Sequence, residues 1–568
     1  LNEQTRIISF MPDLDKDLNK KLIELFENKK YSEIEFELES LGDIEKLPTQ
    51  TLMAYAVAKA LNSKSKKNDF EKAAYFFERI YISNKSNLDV LYNLIIVSLK
   101  SGVFKYAYPH LIERHKDNKK DEKVLEALHK INFAMGNISE SHLYSSQLIK
   151  VNPSYPSIWE DHLSSLNYIT NKSQSDHLKY ALEFDRLPKI DDNSLLKIIK
   201  KIKKNKIKLA FLSPDFKTHS VSFFLKDILS KINKKEFETF AFSNLETNLY
   251  DGMTNELKAS FDEWHDIKKM SDIEFVNLAR FLDIDILIDL AGFTVGNRIQ
   301  ALRTRCAPVQ ISWLGYCNTL GIKNMDYLIT DFNLIKKDEE KYYSEKILYL
   351  PKIWNVMSKQ KNLPNINSLP LKKSSIFTFG SFNNFSKLSN ETIKLWSKIL
   401  NNTNSRLILK SGSTSSDSTV KNIIKKFKEQ GVEENKVLIL DKDLTREEHL
   451  NHYNKIDVAL DTFPYPGVTT SFESILMGVP VLTMKGFNFN SRCGESINLN
   501  LGMGEFIAAD EQDYLAKAIQ LQEDLTKLEL LRSSLRERAL ASPLFDVANF
   551  TNEFSSILKK AWSNYMDR

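Results

Sequence analysis

The chain has 568 residues, 42% of them hydrophobic and 27% charged, which is ordinary for folded protein and too long for one core, so about three domains are expected. A net charge of +5 with lysines and acids interspersed leaves no nucleic-acid footprint, and no apolar run approaches the roughly 20 residues that span a bilayer. Three cysteines, Cys306, Cys317 and Cys493, form no C-x-x-C pair, and the odd count suits a reducing compartment. The N-terminal LNEQTRIISF lacks a charged-then-apolar signal pattern, so a cytoplasmic location is expected.

The first third of the chain reads as helices repeating every 34 residues. Ala73 and Ala107 keep that spacing, as do Gly102 and Gly136, the series Val90, Val124, Ile158, and the series Leu91, Leu125, Trp159. Two amphipathic helices per unit at this period are the tetratricopeptide pattern. Three units cover about Asp69 to Asn171, and Asn28 to Ser65 reads as a degenerate earlier one. One helix pair cannot bury its apolar face, whereas a stack can. The concave face of such a stack binds a polypeptide, or the stack buttresses the remainder of the chain. The basic run from Lys197 to Lys208, with seven lysines, reads as a solvated face or linker.

Near Ile207 the period changes. Short apolar runs alternate with helical stretches: Lys206 to Pro214, a strand ending in a loop, then Phe237 to Phe242, Ile284 to Leu290, Gln310 to Leu314 and Tyr327 to Thr330. After a Pro/Asn/Ser-rich stretch from Asn362 to Ser375 the alternation restarts. The runs there are Ser375 to Ser381, Arg406 to Lys410, Val437 to Leu440, Val458 to Asp461 and Val479 to Met484. Two successive α/β units of about 165 residues predict two Rossmann-like domains with parallel sheets. The expected division is 1–205 helical repeats, 206–370 first α/β domain, 371–545 second α/β domain and 546–568 a C-terminal helix. A ligand belongs in the cleft outside the carboxyl ends of the strands.

Loops at those ends carry the candidate chemistry. GSFNNFSK, from Gly380 to Lys387, runs from a strand to a helix start, where backbone N–H groups favour anions and Lys387 would add a full charge. DTFPYPGVTTSFE, from Asp461 to Glu473, leads a buried strand through a Pro/Gly turn into Thr469, Thr470 and Ser471 at a second helix start. A phosphate site with Glu473 on a ribose diol, and a plain N-cap with a Glu favoured by the helix dipole, fit this pattern equally. In the first α/β unit, His219 follows the first strand and could serve as general acid or base, or only as a cap. Asp289 to Arg298, with Thr294, and Ser312 to Gly321 are further polar loops. The histidines are dispersed with no well-placed H-x-x-x-H or D-x-D pair, and G-x-G-x-x-G, G-x-S-x-G and Walker A motifs are absent.

Together these loops resemble the O-GlcNAc transferase family. The resemblance runs from about Ile207 to Phe545 through SPDFKTHSVSFFL, DILIDLAGFTVGNRIQALRTRCAPVQISWLGYCNTLG, MDYLITD, FGSFNNFSKL, LTREEHL, DTFPYPGVTTSFESILMGVPVLTM and SRCGESINLNLGMGEFIA. It implies a tetratricopeptide-like α-helical region before a GT-B fold, two Rossmann-like domains facing a cleft. It implies a metal-independent, inverting glycosyltransferase moving a sugar, GlcNAc from UDP-GlcNAc above all, to Ser or Thr of a protein. No cofactor is implied, the nucleotide sugar being a co-substrate. The expected partners are a UDP-sugar, or a GDP-sugar, and a protein or peptide acceptor near the repeats, with neither nucleic acid nor membrane. By position, Asn384 and Lys387 match residues on the diphosphate, as do Thr469 and Thr470. Glu473 matches a carboxylate on the ribose, and Arg446 and His449 match residues beside the nucleobase. His219 matches a cleft histidine with a disputed role as base, and Thr294 lies in the matching G-[YF]-T loop. His219 and Lys387 are the expected catalytic pair. Val468 stands where the animal enzyme has a His on the nucleotide. Around Val468 and Glu473 the chain also resembles plant protein O-fucosyltransferases, which use a GDP sugar. An Asn-glucosylating bacterial family matches less well, especially in the PGVTT segment, and a non-catalytic repeat scaffold is the remaining alternative.

Overall fold

The computed structural model describes residues 16–62, 66–170, 172–198, 205–360, 362–411, 417–441 and 445–567. The N-terminal decapeptide, Asn171, part of the basic run (199–204) and Leu444 lie outside the described residues. The chain divides into two compact units, Leu1–Asn152 with Thr414–Lys425, and Pro153–Ser413 with Lys426–Arg568.

The first unit is helical. Lys67–Ser83 pairs with Leu88–Ser101, Tyr108–Asp117 with Glu122–Ala134, and Ile138–Val151 comes next. The helices beginning at Leu88, Glu122 and Pro156 start 34 residues apart, although the last belongs to the second unit. Local chemistry sets the frame: Asn87 and Asp121 cap two of these starts by accepting the amides of Val90 and Val124. Gly102 and Gly136 turn the chain between helices at φ of 70° and 74°, a conformation that side chains resist. Ala73, Ala107 and Ser141, again 34 apart, are fully buried, as small residues must be where helices press close. The earlier pair, Tyr31–Glu39 and Thr49–Leu61, occupies the degenerate repeat. Phe77, Tyr81, Leu94 and Leu128 share one apolar core, and burial of each such side chain contributes about 1.5–3 kcal/mol.

The second unit holds two parallel sheets. The first has seven strands: β1 Ile207–Ser213, β2 Phe237–Ser243, β3 Glu263–Asp266, β4 Ile286–Asp289, β5 Val309–Ser312, β6 Tyr327–Asp331 and β7 Lys346–Leu350. Their order is β3-β2-β1-β4-β5-β6-β7. The second comprises β8 Phe377–Ser381, β9 Ser405–Lys410, β10 Val437–Leu440, β11 Val458–Leu460, β12 Val481–Met484 and β13 Ile507–Ala508. Their order is β10-β9-β8-β11-β12-β13. The central strands are buried on both faces, which explains their near-continuous apolar sequences. Each sheet grows outward from its middle, so the order reverses between β1 and β4 and between β8 and β11. Loops diverge at those two points and open a crevice at the carboxyl edge.

The two edges face each other. Phe224, in the helix Ser220–Lys231 after β1, packs edge-on against Phe472 of the helix Thr469–Leu476 after β11, with ring centroids 5.3 Å apart. Behind the cleft, Arg492 donates to both carboxylate oxygens of Glu339 at 2.5 and 2.8 Å, and Ser496 donates to Asp331 at 2.8 Å. The C-terminal helix Val547–Met566 returns to the first sheet, where Phe554 meets Trp313 at 4.6 Å. This is the GT-B arrangement, preceded by helical repeats. No described helix is long and apolar enough to cross a membrane.

Candidate active site

Asp461, at the end of β11, organises the edge of the second sheet. Its Oδ1 accepts the Gly467 amide at 2.7 Å and Asn383 Nδ2 at 3.2 Å, and its Oδ2 accepts the Thr483 hydroxyl at 2.9 Å. Burial pushes its carboxyl up to about 6, against the pull of those donors and of the Lys387 charge. Asn383 Oδ1 in turn accepts the Thr470 hydroxyl at 2.6 Å. A side chain at Gly467 would lie 2.4 Å from Thr470 Oγ1 and 2.7 Å from Asn383 Oδ1, so only glycine lets the turn close over this network.

The same turn carries the helix Thr469–Leu476. Val468 at its cap supplies no side-chain acceptor, and the amides of Ser471 and Phe472 both turn back to the Val468 carbonyl. The amides of Thr469 and Thr470 make no backbone hydrogen bond among the described residues. They are the open first-turn donors at which a helix dipole favours an anion. Thr470 therefore faces the cleft with its amide and the interior with its hydroxyl.

Lys387 ends the short 3-10 turn Phe385–Lys387 after β8. Its Nζ donates to the Pro466 carbonyl at 2.8 Å and lies 3.9 Å from the centre of the Tyr465 ring. Desolvation pulls the ammonium down to about 8, with Asp461 pulling the other way. Asn384 is exposed, and its side-chain oxygen accepts the Ser386 amide at 3.1 Å. Its neighbour Asn383 is the asparagine built into the network.

Glu473, one turn into the helix, is 2% exposed yet ionised. Burial opposes the charge, but Arg446, donating at 2.5 Å, and His449, at 2.9 Å, overcome it and bring the carboxyl down to about 2. The Tyr453 hydroxyl adds a third contact at 3.3 Å, and Lys410 Nζ stands 2.8 Å from His449 Nδ1. The sequence puts Glu473 on a ribose and Arg446 and His449 beside a base; the structure brings all three into one ion cluster. The Arg446 guanidinium lies 4.4 Å from the Phe223 ring, and its Nε and Nη2 are buried without a hydrogen-bond partner among the described residues. Such donors are costly unless a ligand satisfies them.

At the edge of the first sheet, His219 caps the helix Ser220–Lys231, its Nδ1 accepting the Val221 amide at 3.4 Å and lying 3.7 Å from Asp215. Burial favours the neutral form of both groups. Thr294 sits on the loop after β4 and donates its hydroxyl to the Ala291 carbonyl at 2.8 Å. A side chain at Gly296 would meet Pro214 at 2.9 Å, so the His219 and Thr294 loops touch. Among the described residues no group of three or more His, Cys, Asp or Glu could hold a metal ion. Asn383, Lys410, Tyr453 and Tyr465 join the site without having been singled out by sequence. Asn383 and Tyr465 carried a signal, their places in the two strand-to-helix loops, and Asn383 could not there be told from Asn384.

A parallel-sheet pair with an open helix start, a half-buried lysine and an ionised carboxylate at one edge defines a GT-B protein. Residues 155–376 and 367–554 match the profile of glycosyl transferase family 41, and the chain belongs to that family. It is 32% identical to a probable UDP-N-acetylglucosamine–peptide N-acetylglucosaminyltransferase SPINDLY of Solanum lycopersicum, over 74% of this chain and 45% of that protein. It is 28% identical to the SEC protein of the same description from Arabidopsis thaliana, over 63% of this chain and 37% of that one. The chain thus spans less than half the length of these plant relatives. Its structure is similar to that of a lysine-to-methionine variant of the Thermobaculum terrenum O-GlcNAc transferase, with a TM-score of 0.79 and 25% identity over 92% of this chain and 99% of that one.

Proposed function

We propose that this protein is an inverting, metal-independent glycosyltransferase that moves a sugar, GlcNAc from UDP-GlcNAc, to Ser or Thr hydroxyls of a polypeptide. The observation that carries this reading is the pairing of Lys387 with the open amides of Thr469 and Thr470 on one edge of the second sheet. A diphosphate in that cradle exchanges the Pro466 carbonyl for a full anion as the partner of Lys387. Charge growing on the leaving diphosphate meets fixed donors, each worth roughly 3–4 kcal/mol in comparable sites. Asn384 lies on the same loop and contacts the phosphates. Arg446, His449 and Glu473 receive the nucleoside, the orphan Nε and Nη2 of Arg446 finding acceptors there. The acceptor hydroxyl attacks the anomeric carbon from the side of the first sheet, where His219 and Thr294 hold it, and the helical repeats bind the acceptor polypeptide. The names of the plant relatives and of the bacterial transferase support GlcNAc as the sugar.

The test is thermal stabilisation by UDP, GDP, UDP-GlcNAc and a GDP sugar, followed by transfer to Ser- and Thr-containing peptides. Selective stabilisation by UDP with transfer of GlcNAc is expected. Stabilisation by GDP alone would replace the donor, and stabilisation by neither would leave a repeat scaffold.

A further inference from the structure

Lys387 is held by a cage, and one wall of the cage comes from outside both α/β domains. The turn from Phe463 to Gly467 is fixed at several points. Ser389 and Thr392 donate to the Phe463 carbonyl at 3.0 Å each, Thr462 donates to the Tyr465 carbonyl at 2.7 Å, and the Gly467 amide donates to Asp461. The turn presents two features to Lys387, the Pro466 carbonyl and the face of Tyr465. Tyr465 is backed by Tyr168, whose ring lies 4.8 Å away at a tilt of 56°. The Tyr168 hydroxyl is in hydrogen-bonding contact with Ser386, the residue before the lysine.

Tyr168 lies just past the helix Pro156–Leu166, which continues the 34-residue helical series. Its neighbour Asn167 anchors it to both α/β domains. The Asn167 side-chain oxygen accepts Asn318 Nδ2 at 3.0 Å, and its carbonyl accepts Asn490 Nδ2 at 3.2 Å. Tyr168 is therefore held at a fixed point rather than resting on the surface, and it reaches Lys387 from two sides, through Tyr465 and through Ser386.

We propose that Tyr168 is a positioning residue for Lys387, its ring backing Tyr465 and its hydroxyl steadying Ser386 so that the ammonium stays at the edge of the diphosphate cradle. The proposal rests on the reading that Lys387 meets the diphosphate. An ammonium over an aromatic face is attracted to it electrostatically, and misplacement of a reacting group by 1 Å costs up to about a hundredfold in rate.

The experiment compares Tyr168→Leu, which keeps apolar volume without a ring, and Tyr168→Phe, which keeps the ring, with the unaltered full chain. Two quantities are read in each: kcat for sugar transfer, and the pH midpoint for acetylation of Lys387 by N-hydroxysuccinimidyl acetate, followed by peptide mass spectrometry. In the unaltered chain the midpoint is expected near 8, where burial brings the ammonium. Loss of the ring lets water reach the ammonium, so in Tyr168→Leu the midpoint rises by about half a pH unit or more and kcat falls about tenfold with KM for the donor little changed. Tyr168→Phe restores both to near the original values. An unmoved midpoint in Tyr168→Leu overturns the proposal, and so does a Tyr168→Phe variant as impaired as Tyr168→Leu. A moved midpoint with unchanged kcat supports the cage and overturns the part assigned to Lys387 in the reaction. If Tyr168→Leu does not fold, Tyr168→Met, which also lacks the ring, supplies the same pair of readings.

Discussion

The two carboxyl edges of the cleft are built on the same plan but are prepared differently. At the second sheet, side chains from four segments lock together: Asp461 holds the turn, Asn383 holds Thr470, and Glu473 holds Arg446 and His449. At the first sheet, His219 and Thr294 each close on their own loop, His219 on the Val221 amide and Thr294 on the Ala291 carbonyl. Networks that span distant segments cost free energy to assemble and are worth having where charge must be met by groups already in place. On the proposed function, the leaving group meets the edge whose site side chains are joined across segments, and the acceptor meets the edge where His219 and Thr294 each close on their own loop.

Removing the charge at the edge of the second sheet tests this most severely. Lys387→Ala is expected to lower turnover by about 10²–10³, the loss seen when one such donor is removed, with a melting temperature within a few degrees of the original. Steady-state kinetics and a thermal melt read both. Next in size is Glu473→Gln, which strands Arg446 and His449. It should cost about 3 kcal/mol of stability in urea unfolding, since breaking a buried pair leaves a charge uncompensated. The pH dependence has a definite sign. The folded carboxyl titrates near 2, below its ordinary 4.5. Its stabilisation is present above the unfolded value and disappears as pH falls from about 4.5 toward 2, and Glu473→Gln should erase that slope.

A smaller effect is expected at the edge of the first sheet. His219→Ala should lower kcat about tenfold to a hundredfold and cost about 1 kcal/mol through the lost helix cap. A fall larger than that of Lys387→Ala would reverse the comparison. The pH profile sharpens it further. kcat/KM, which reports the free enzyme, should decline above about pH 8 as Lys387 loses its proton. The corresponding limb of kcat should lie higher, because a bound diphosphate favours the ammonium. Least of all, Asn384→Ala should change stability by under about 0.5 kcal/mol, since the side chain is exposed, and raise KM for the donor only a few-fold.

How far the sequence reaches is clear from particular elements. The apolar runs of β1, β4, β8 and β11 are buried on both faces and stand out without any partner in view. β3, with the sequence EWHD, is a half-exposed edge strand, and β13 has two residues, so neither carries enough apolar pattern to be read. β7, KILYL, is an edge strand that mixes lysine and tyrosine with its apolar residues. The helix Val547–Met566 is legible as a helix, but its return to the first sheet is decided by Trp313, hundreds of residues away. In the site, Lys387, Thr469, Thr470 and Glu473 are legible because glycine, proline and hydroxyl residues mark a strand-to-helix turn. The joining of Glu473 to Arg446 and His449, and of Tyr168 to Tyr465, depends on contacts between segments far apart in the chain, which local pattern does not encode.

The central claim is that the edge of the second sheet is a cradle for a diphosphate. Calorimetric titration of the unaltered chain with the nucleoside diphosphate that stabilises it and with the corresponding nucleoside measures this directly. The account predicts that the diphosphate binds at least about a hundredfold more tightly, two or more charge-assisted hydrogen bonds contributing the difference. Equal affinity for nucleoside and diphosphate would contradict it.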